Sequence, residues 1–274
     1  MRSQSNWQYI FNECKTNIQD RIKPYLKTRK EPLPNLGLGA GGDAMKPVDL
    51  ASETAITQTL TENGVSFTLI SEESGIEKFG KTPDKCFVCV DPIDGTNNLI
   101  RGLPFYCSSI AISNKPDLAS VCAAMVIDLV RGIAYTAFAG KGAYRDDERI
   151  TTSKTPSLDE AIVGLDVNNY HNKQVISRVT PLIENTKHIR HFGANALEIC
   201  YVANGLTDAF IDVRQKIRTT DVAAGFLILK EAGGIVTTPE NQPLNAVLDP
   251  KQTLNFVASG NVEIHRKIIS WLNP

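Results

Sequence analysis

The segment Asp91-Pro92-Ile93-Asp94-Gly95-Thr96 constrains this chain more than any other. It follows the apolar run Cys86-Phe87-Val88-Cys89-Val90, which reads as a buried strand. Pro92 interrupts ladder pairing, and Gly95 lets the backbone approach a ligand closely. Two carboxylates, a released backbone carbonyl and a Gly-Thr turn therefore collect at one strand end. Hard divalent cations prefer such a set of oxygens. The amides after Asp94 open a short helix, and a helix N-terminus attracts phosphate. Cation and phosphate on one turn point to metal-assisted phosphoryl chemistry.

Asp, Gly and Thr are also ordinary turn and cap residues, and Asp-Gly-Thr alone would be read as a capped turn. The longer string with Glu72-Glu73 upstream favours the chemical reading. Spacing removes one competitor. Haloacid-dehalogenase phosphatases separate their two aspartates by one residue, whereas here Pro92 and Ile93 intervene.

The chain has 274 residues, enough for one large domain or two joined lobes. With 29 basic and 30 acidic residues, its formal charge of −1 gives no reason to expect nucleic-acid or membrane partners. No apolar run approaches the ~20 residues of a membrane span. Met1–Asn6 shows no signal-peptide core, so a cytoplasmic protein is expected. Cys14, Cys86, Cys89, Cys107, Cys122 and Cys200 are scattered and read as reduced thiols. In a strand, Cys86 and Cys89 face opposite ways, which argues against a metal or redox pair. His171, His188, His191 and His265 have no ligand spacing.

Apolar periodicity predicts helices over Ser5–Tyr25 (ended by Pro24), Asp49–Glu62 (closed by Gly64), Ala194–Asn204, Thr220–Ala232 and Val262–Leu272. Strands are expected at Phe67–Ser71 and at the Asp91 run. A meander over 106–138 has runs at Ser108–Ile112, Val121–Ile127 and Gly132–Ala137. Further strands are expected at Ala161–Asp166, Ile189–Phe192, Ala209–Asp212 and Asn255–Ser259. A meander half followed by an alternating half implies a layered α/β sandwich. We divide it into an N-terminal α+β lobe, 1–155, carrying the metal and phosphate site, and a C-terminal α/β lobe, 156–274, carrying substrate recognition. The glycine-rich stretch Gly37–Ala44 lacks the ending of a phosphate loop and reads as a mobile flap.

Ser71-Glu72-Glu73-Ser74, Asp91-Pro92-Ile93-Asp94-Gly95-Thr96-Asn97-Asn98, and Asp221-Val222-Ala223-Ala224-Gly225 running into Glu231-Ala232-Gly233-Gly234 occur in this order. Together they resemble the motifs of the inositol monophosphatase superfamily. Asp208–Arg218 resembles the archaeal-type branch, which acts on inositol 1-phosphate and fructose 1,6-bisphosphate. The resemblance implies an αβαβα fold of the inositol monophosphatase / fructose-1,6-bisphosphatase type. It implies two or three Mg²⁺ ions, replaceable by Mn²⁺, on Glu72, Asp91, the Ile93 carbonyl, Asp94 and Asp221.

The same resemblance implies that Asp94, Gly95 and Thr96 hold the phosphate, and that Thr96 and Asp49 orient and deprotonate the attacking water. A helix N-cap is the competing reading of Asp49. Glu73 is expected to be peripheral or solvated. Arg190, Asn195 and Lys216 match positions that touch substrate. Asp212 could accept sugar hydroxyls if Asp212, Arg214, Lys216 and Arg218 alternate along one strand face, with Arg214 and Arg218 structural. Two departures stand out. Thr220 replaces a Trp of the animal enzymes, and the flap lacks its usual Gly-Thr-Pro run, which weakens the case for a third metal near Asp43. The expected partner is a small phosphorylated sugar or polyol, and the expected assembly a homodimer. Alternatives are a 3′-phosphoadenosine 5′-phosphate or NADP phosphatase, or a non-catalytic metal/sugar-phosphate-binding module.

Overall fold

A computed structural model describes residues 3–27, 34–168 and 173–273. Met1, Arg2 and His171 lie outside them. Two sheets carry the fold. The first contains β1 (Phe67–Ser71), β2 (Gly75–Phe79), β3 (Phe87–Asp94), β4 (Cys107–Ser113), β5 (Val121–Asp128), β6 (Ile133–Phe138), β7 (Gly142–Arg145) and β8 (Glu148–Ile150). Its order is β2-β1-β3-β4-β5-β6-β7-β8. Only β1 and β3 run parallel; the other neighbours are antiparallel, as the meander pattern predicts. The second sheet contains β9 (Ile162–Leu165), β10 (His188–Arg190), β11 (Ala209–Arg218), β12 (Ile235–Thr237) and β13 (Thr253–Ser259), in the order β10-β9-β11-β13-β12.

Helices make three layers around these sheets. The outer pair α1 (Gln4–Lys27) and α2 (Pro47–Glu62) buries Phe11, Ile18 and Ile56 against Val88, Val90 and Met125 of the first sheet. The central pair α5 (Asn195–Ala203) and α6 (Thr219–Glu231) lies between the sheets. There Leu197, Val202 and Ile228 meet Ala111, Val126 and Tyr135 on one side and Phe210 and Phe256 on the other. The last pair, α4 (Lys173–Asn185) and α7 (Val262–Leu272), covers the far face with Val179, Ile264 and Ile268 on Val163, Ile211 and Val257. The sandwich is therefore αβαβα, as expected. The period-2 alternation of β3 shows why: Val88 and Val90 face α1 and α2, while Cys89 faces α6. Cys86 and Cys89 accordingly belong to cores on opposite faces.

Several predicted boundaries need correction. Pro24 does not end α1, which continues to Lys27 although the proline takes one amide donor out of the ladder. Pro92 does not end β3 either. Pairing with β4 skips and resumes at Asp94↔Cys107, leaving an irregularity between Asp91 and Asp94. The predicted alternation from Asp212 to Arg218 fails. Gln215 adopts φ +57° and the β11–β13 register shifts between Asp212 and Ile217. Asp212 is consequently buried, Lys216 exposed, and Arg218 turned inward.

Candidate active site

β1 and β3 are parallel neighbours, so their C-terminal ends open on the same edge. Glu72 follows β1, with its amide on the Val90 carbonyl at 3.4 Å, and Asp91 lies alongside in β3. α6 brings the third acid. Asp221 is the third residue of that helix, and its Oδ2 accepts from the Arg218 amide at 2.9 Å, closing the helix start. Ligand oxygens of Glu72, Asp91 and Asp221 all lie within 4.8 Å of one another. Asp94 stands beside them, tied to the central layer: its Oδ2 accepts from the Ala196 amide at the start of α5 at 2.6 Å.

Burial and mutual repulsion hold these carboxyls toward the protonated form. Asp91 is pushed well up by burial, then by Glu72, Asp94 and Asp221. Glu72 is raised by burial and by Asp221, and Asp94 is pushed up to about 7 by burial and Asp221. Arg218 offsets part of this charge. Its Nη2 donates to Glu72 Oε1 at 2.6 Å, its Nη1 lies 2.9 Å from Asp43, and its Nε lies 3.5 Å from Asp221. One guanidinium among Glu72, Asp91, Asp94 and Asp221 leaves a surplus of negative oxygen donors, which suits a hard divalent cation. The sequence marks Arg218 only as a structural cation; the one signal of its place in the acidic cluster is its position three residues before Asp221.

Asp49 is not the N-cap of α2, a place taken by Lys46, but it closes the helix start from inside the first turn and also reaches Thr96. It is the third residue of α2; its Oδ2 accepts from the Lys46 amide at 2.7 Å, while its Oδ1 meets Thr96 Oγ1 at 3.0 Å. Burial, against these hydrogen bonds, pushes it up to about 6. Thr96 Oγ1 also lies 2.8 Å from the Ile93 carbonyl, the alternative acceptor for its single hydroxyl proton, and Ser52 donates to the Pro92 carbonyl at 2.8 Å. Gly95 supplies the φ of +90° from which α3 (Thr96–Arg101) starts. Glu73 is half-buried rather than solvated, and burial, with Asp49 and Glu53, raises it to about 8.

A cavity of about 430 Å³ joins these groups. Asp49, Glu72, Asp91, Ile93, Asp94, Gly95, Thr96, Asn195 and Asp221, all singled out in the sequence, line it together. Asn195 Oδ1 is buried with no hydrogen-bond partner among the described residues. The flap is tied to the end of β1, where Gly41 N donates to the Glu72 carbonyl at 2.7 Å and Ala40 N to that of Glu73 at 2.9 Å, and its residues Asp43 and Ala44 line the cavity. Three sequence-predicted residues fall outside the lining. Arg190 and Lys216 are exposed on β10 and β11. Asp212 is fully buried, with both oxygens engaged by Arg214, which also pairs with Asp166 at 2.5 Å.

The sequence model of the inositol monophosphatase family matches residues 12–272. A fructose-1,6-bisphosphatase/inositol-1-monophosphatase of Methanothermobacter thermautotrophicus is 34% identical over 275 residues, covering 97% of this chain and 96% of that one. A bifunctional NADP phosphatase/NAD kinase of Methanococcus maripaludis is 33% identical over 92% of this chain, which spans 47% of that longer protein. Among solved structures, an inositol monophosphatase–fructose 1,6-bisphosphatase superposes with a TM-score of 0.84 at 26% identity, covering 97% of this chain and 99% of the other. The three acidic motifs, the five-layered sandwich and these matches lead to one conclusion: the chain belongs to the inositol monophosphatase family, and it is a phosphoric monoester hydrolase.

Proposed function

We propose that this phosphatase is dependent on Mg²⁺, or Mn²⁺ in its place, and hydrolyses fructose 1,6-bisphosphate, inositol 1-phosphate or both. The observation that carries the reading is the convergence of Glu72, Asp91 and Asp221 within 4.8 Å beside Asp94. Every donor in that set is oxygen, and one guanidinium faces four carboxylates, so the residues fit a hard divalent cation. Glu72, Asp91, the Ile93 carbonyl, Asp94 and Asp221 would hold it. When bound, such a cation supplies Lewis-acid stabilisation of the charge that develops on the phosphoryl oxygens.

The chain's own groups account for the rest. The backbone at Gly95 and Thr96 lines the cavity beside the acids and orients the phosphate. Thr96 donates its hydroxyl proton to Asp49 Oδ1, leaving a lone pair on Oγ1 to accept from a water. Asp49, more basic than an ordinary aspartate, takes up the proton as that water attacks phosphorus. The P–O bond to the sugar or polyol breaks in line, and the departing oxygen is protonated from solvent. No Ser, Cys or His lines the cavity among the described residues, which favours direct attack by water over a covalent intermediate.

Substrate recognition centres on Asn195, which lines this cavity and whose Oδ1 is buried with no hydrogen-bond partner among the described residues. Arg190 and Lys216, exposed and without an ion pair among the described residues, are the cations we assign to a second phosphate. Asp212 is withdrawn as a hydroxyl acceptor because Arg214 occupies both its oxygens. A homodimer working in the cytoplasm completes the proposal; light scattering tests the dimer.

The likeness to a bifunctional NADP phosphatase/NAD kinase makes NADP a second candidate substrate. A phosphate-release panel decides among these readings. It contains fructose 1,6-bisphosphate, inositol 1-phosphate, NADP and 3′-phosphoadenosine 5′-phosphate, each with Mg²⁺ and with excess EDTA. Mg²⁺-dependent release from the first two supports the proposal. Release from NADP alone moves the assignment there, and release from none refutes a phosphatase acting on these compounds.

A further inference from the structure

The edge of the first sheet opposite the active site holds a second cavity, of about 570 Å³. β1 and β3 connect the two places. Each begins at this cavity, next to Ser66 and Cys86, and ends at the acidic cluster. The volume falls in the range of small-molecule sites, roughly 300–1,000 Å³.

Its wall is largely apolar and aromatic, with Gln4, Ser66, Thr82 and Asn114 adding uncharged polar groups. Trp7 and Phe138 line it together with Ile112, and Phe11 bridges the two rings with centroid separations of 6.1 Å on either side. Its rim is cationic. Lys85 and Lys141 line the opening, both exposed, and neither forms an ion pair among the described residues. Among the described residues no Asp or Glu lines this cavity, whereas seven carboxylates line the active site. The two cavities therefore select ligands of different chemistry. An aromatic wall offers stacking and edge contacts to a flat ring. Two unpaired ammonium groups at the mouth offer charge-assisted hydrogen bonds to an acid.

We infer that this cavity binds a small organic anion built on an aromatic ring, with the ring against Trp7 and Phe138 and the anionic group at Lys85 and Lys141. The site is independent of the phosphatase assignment, because it shares no lining residue with the active site.

Anilinonaphthalene sulfonate, an aromatic sulfonate, is the probe, titrated into the folded full-length protein and followed by its own fluorescence and by quenching of tryptophan emission, which a Trp271→Phe background confines to Trp7. The uncharged phenylnaphthylamine serves as the comparison. One saturable site per chain is expected, with the sulfonate binding more tightly than the neutral probe. The double variant Lys85→Ala/Lys141→Ala should weaken the sulfonate by more than about tenfold, the effect of losing charge-assisted contacts, and leave phosphate release unchanged. Unaltered sulfonate affinity in the double variant would overturn the inference. So would equal binding of the neutral probe, or the lack of any saturable site.

Discussion

Thr96 Oγ1 stands 3.0 Å from Asp49 Oδ1 and 2.8 Å from the Ile93 carbonyl, so one hydroxyl joins the start of α2 to the irregular turn of β3. If that hydroxyl relays a proton from water, Thr96→Ala should lower kcat by about 10²-fold or more, the usual worth of general-base assistance. The Mg²⁺ concentration that half-saturates activity should change little, because no ligand oxygen is removed. Thr96→Ser should restore most of the rate. Steady-state kinetics at saturating Mg²⁺ measures all three, and a near wild-type rate for the alanine variant reduces Thr96 to a helix-start residue.

Asp94 offers a sharper test of metal dependence. Its Oδ2 holds the Ala196 amide at 2.6 Å, a contact that an asparagine oxygen can keep. Asp94→Asn should therefore fold normally by circular dichroism and lose nearly all Mg²⁺-dependent phosphate release. Excess EDTA should silence the wild type, and added Mg²⁺ or Mn²⁺ should revive it. Substantial turnover in EDTA contradicts the proposal.

Much of this site was legible in the sequence because it is local. Asp91 and Asp94 share one turn, Glu72 and Glu73 end one strand, and Asp221 starts one helix, so short-range patterns located each. What escaped was set by distant partners. Gln215 donates to Asn255 Oδ1 at 2.6 Å and to the Thr253 carbonyl at 3.0 Å, residues about forty positions away. Those contacts accompany the register shift that turns Arg218 into the acidic cluster and Lys216 out of it. The strand pattern alone predicted a straight run. The edge strands β2 and β8, and β7 next to β8, were missed because they are short and carry few apolar residues. α4 was missable but readable: Val175, Val179 and Leu182 recur at helical spacing.

Gly95 is a place where geometry leaves little freedom. Its φ is +90°, and an added Cβ would meet Ala194 Cβ and the Phe105 carbonyl at 3.1 Å and the Gly193 carbonyl at 3.2 Å. Gly95→Ala should destabilise the fold by about 1–3 kcal/mol, the range for such backbone strain. Activity should fall further than stability, because the residue sets the position of Thr96. Urea unfolding and phosphate release read the two effects separately; an unchanged enzyme would mean that the turn adapts without loss.

Glu198 gives a pH dependence whose sign can be worked out. Its Oε1 accepts from the amides of Phe192 at 3.1 Å and Gly193 at 3.0 Å, while Oε2 is buried with no partner among the described residues. Burial pushes the carboxyl from the ordinary value near 4.5 up to about 8. Below pH 4.5 both folded and unfolded chains hold this proton. Between pH 4.5 and 8 only the folded chain holds it, so stability is lost as pH rises through that window and levels off above it. A tenfold difference in proton affinity between the two states corresponds to roughly 1.4 kcal/mol. Glu198→Gln keeps an oxygen for both amides and cannot ionise, so it should lack this slope. Urea midpoints of the two proteins should lie close together at pH 5 and diverge by pH 8.5, with the glutamine variant the more stable. Midpoints that stay parallel across that range would mean Glu198 is already ionised in the folded protein, its charge compensated by groups other than the two amides.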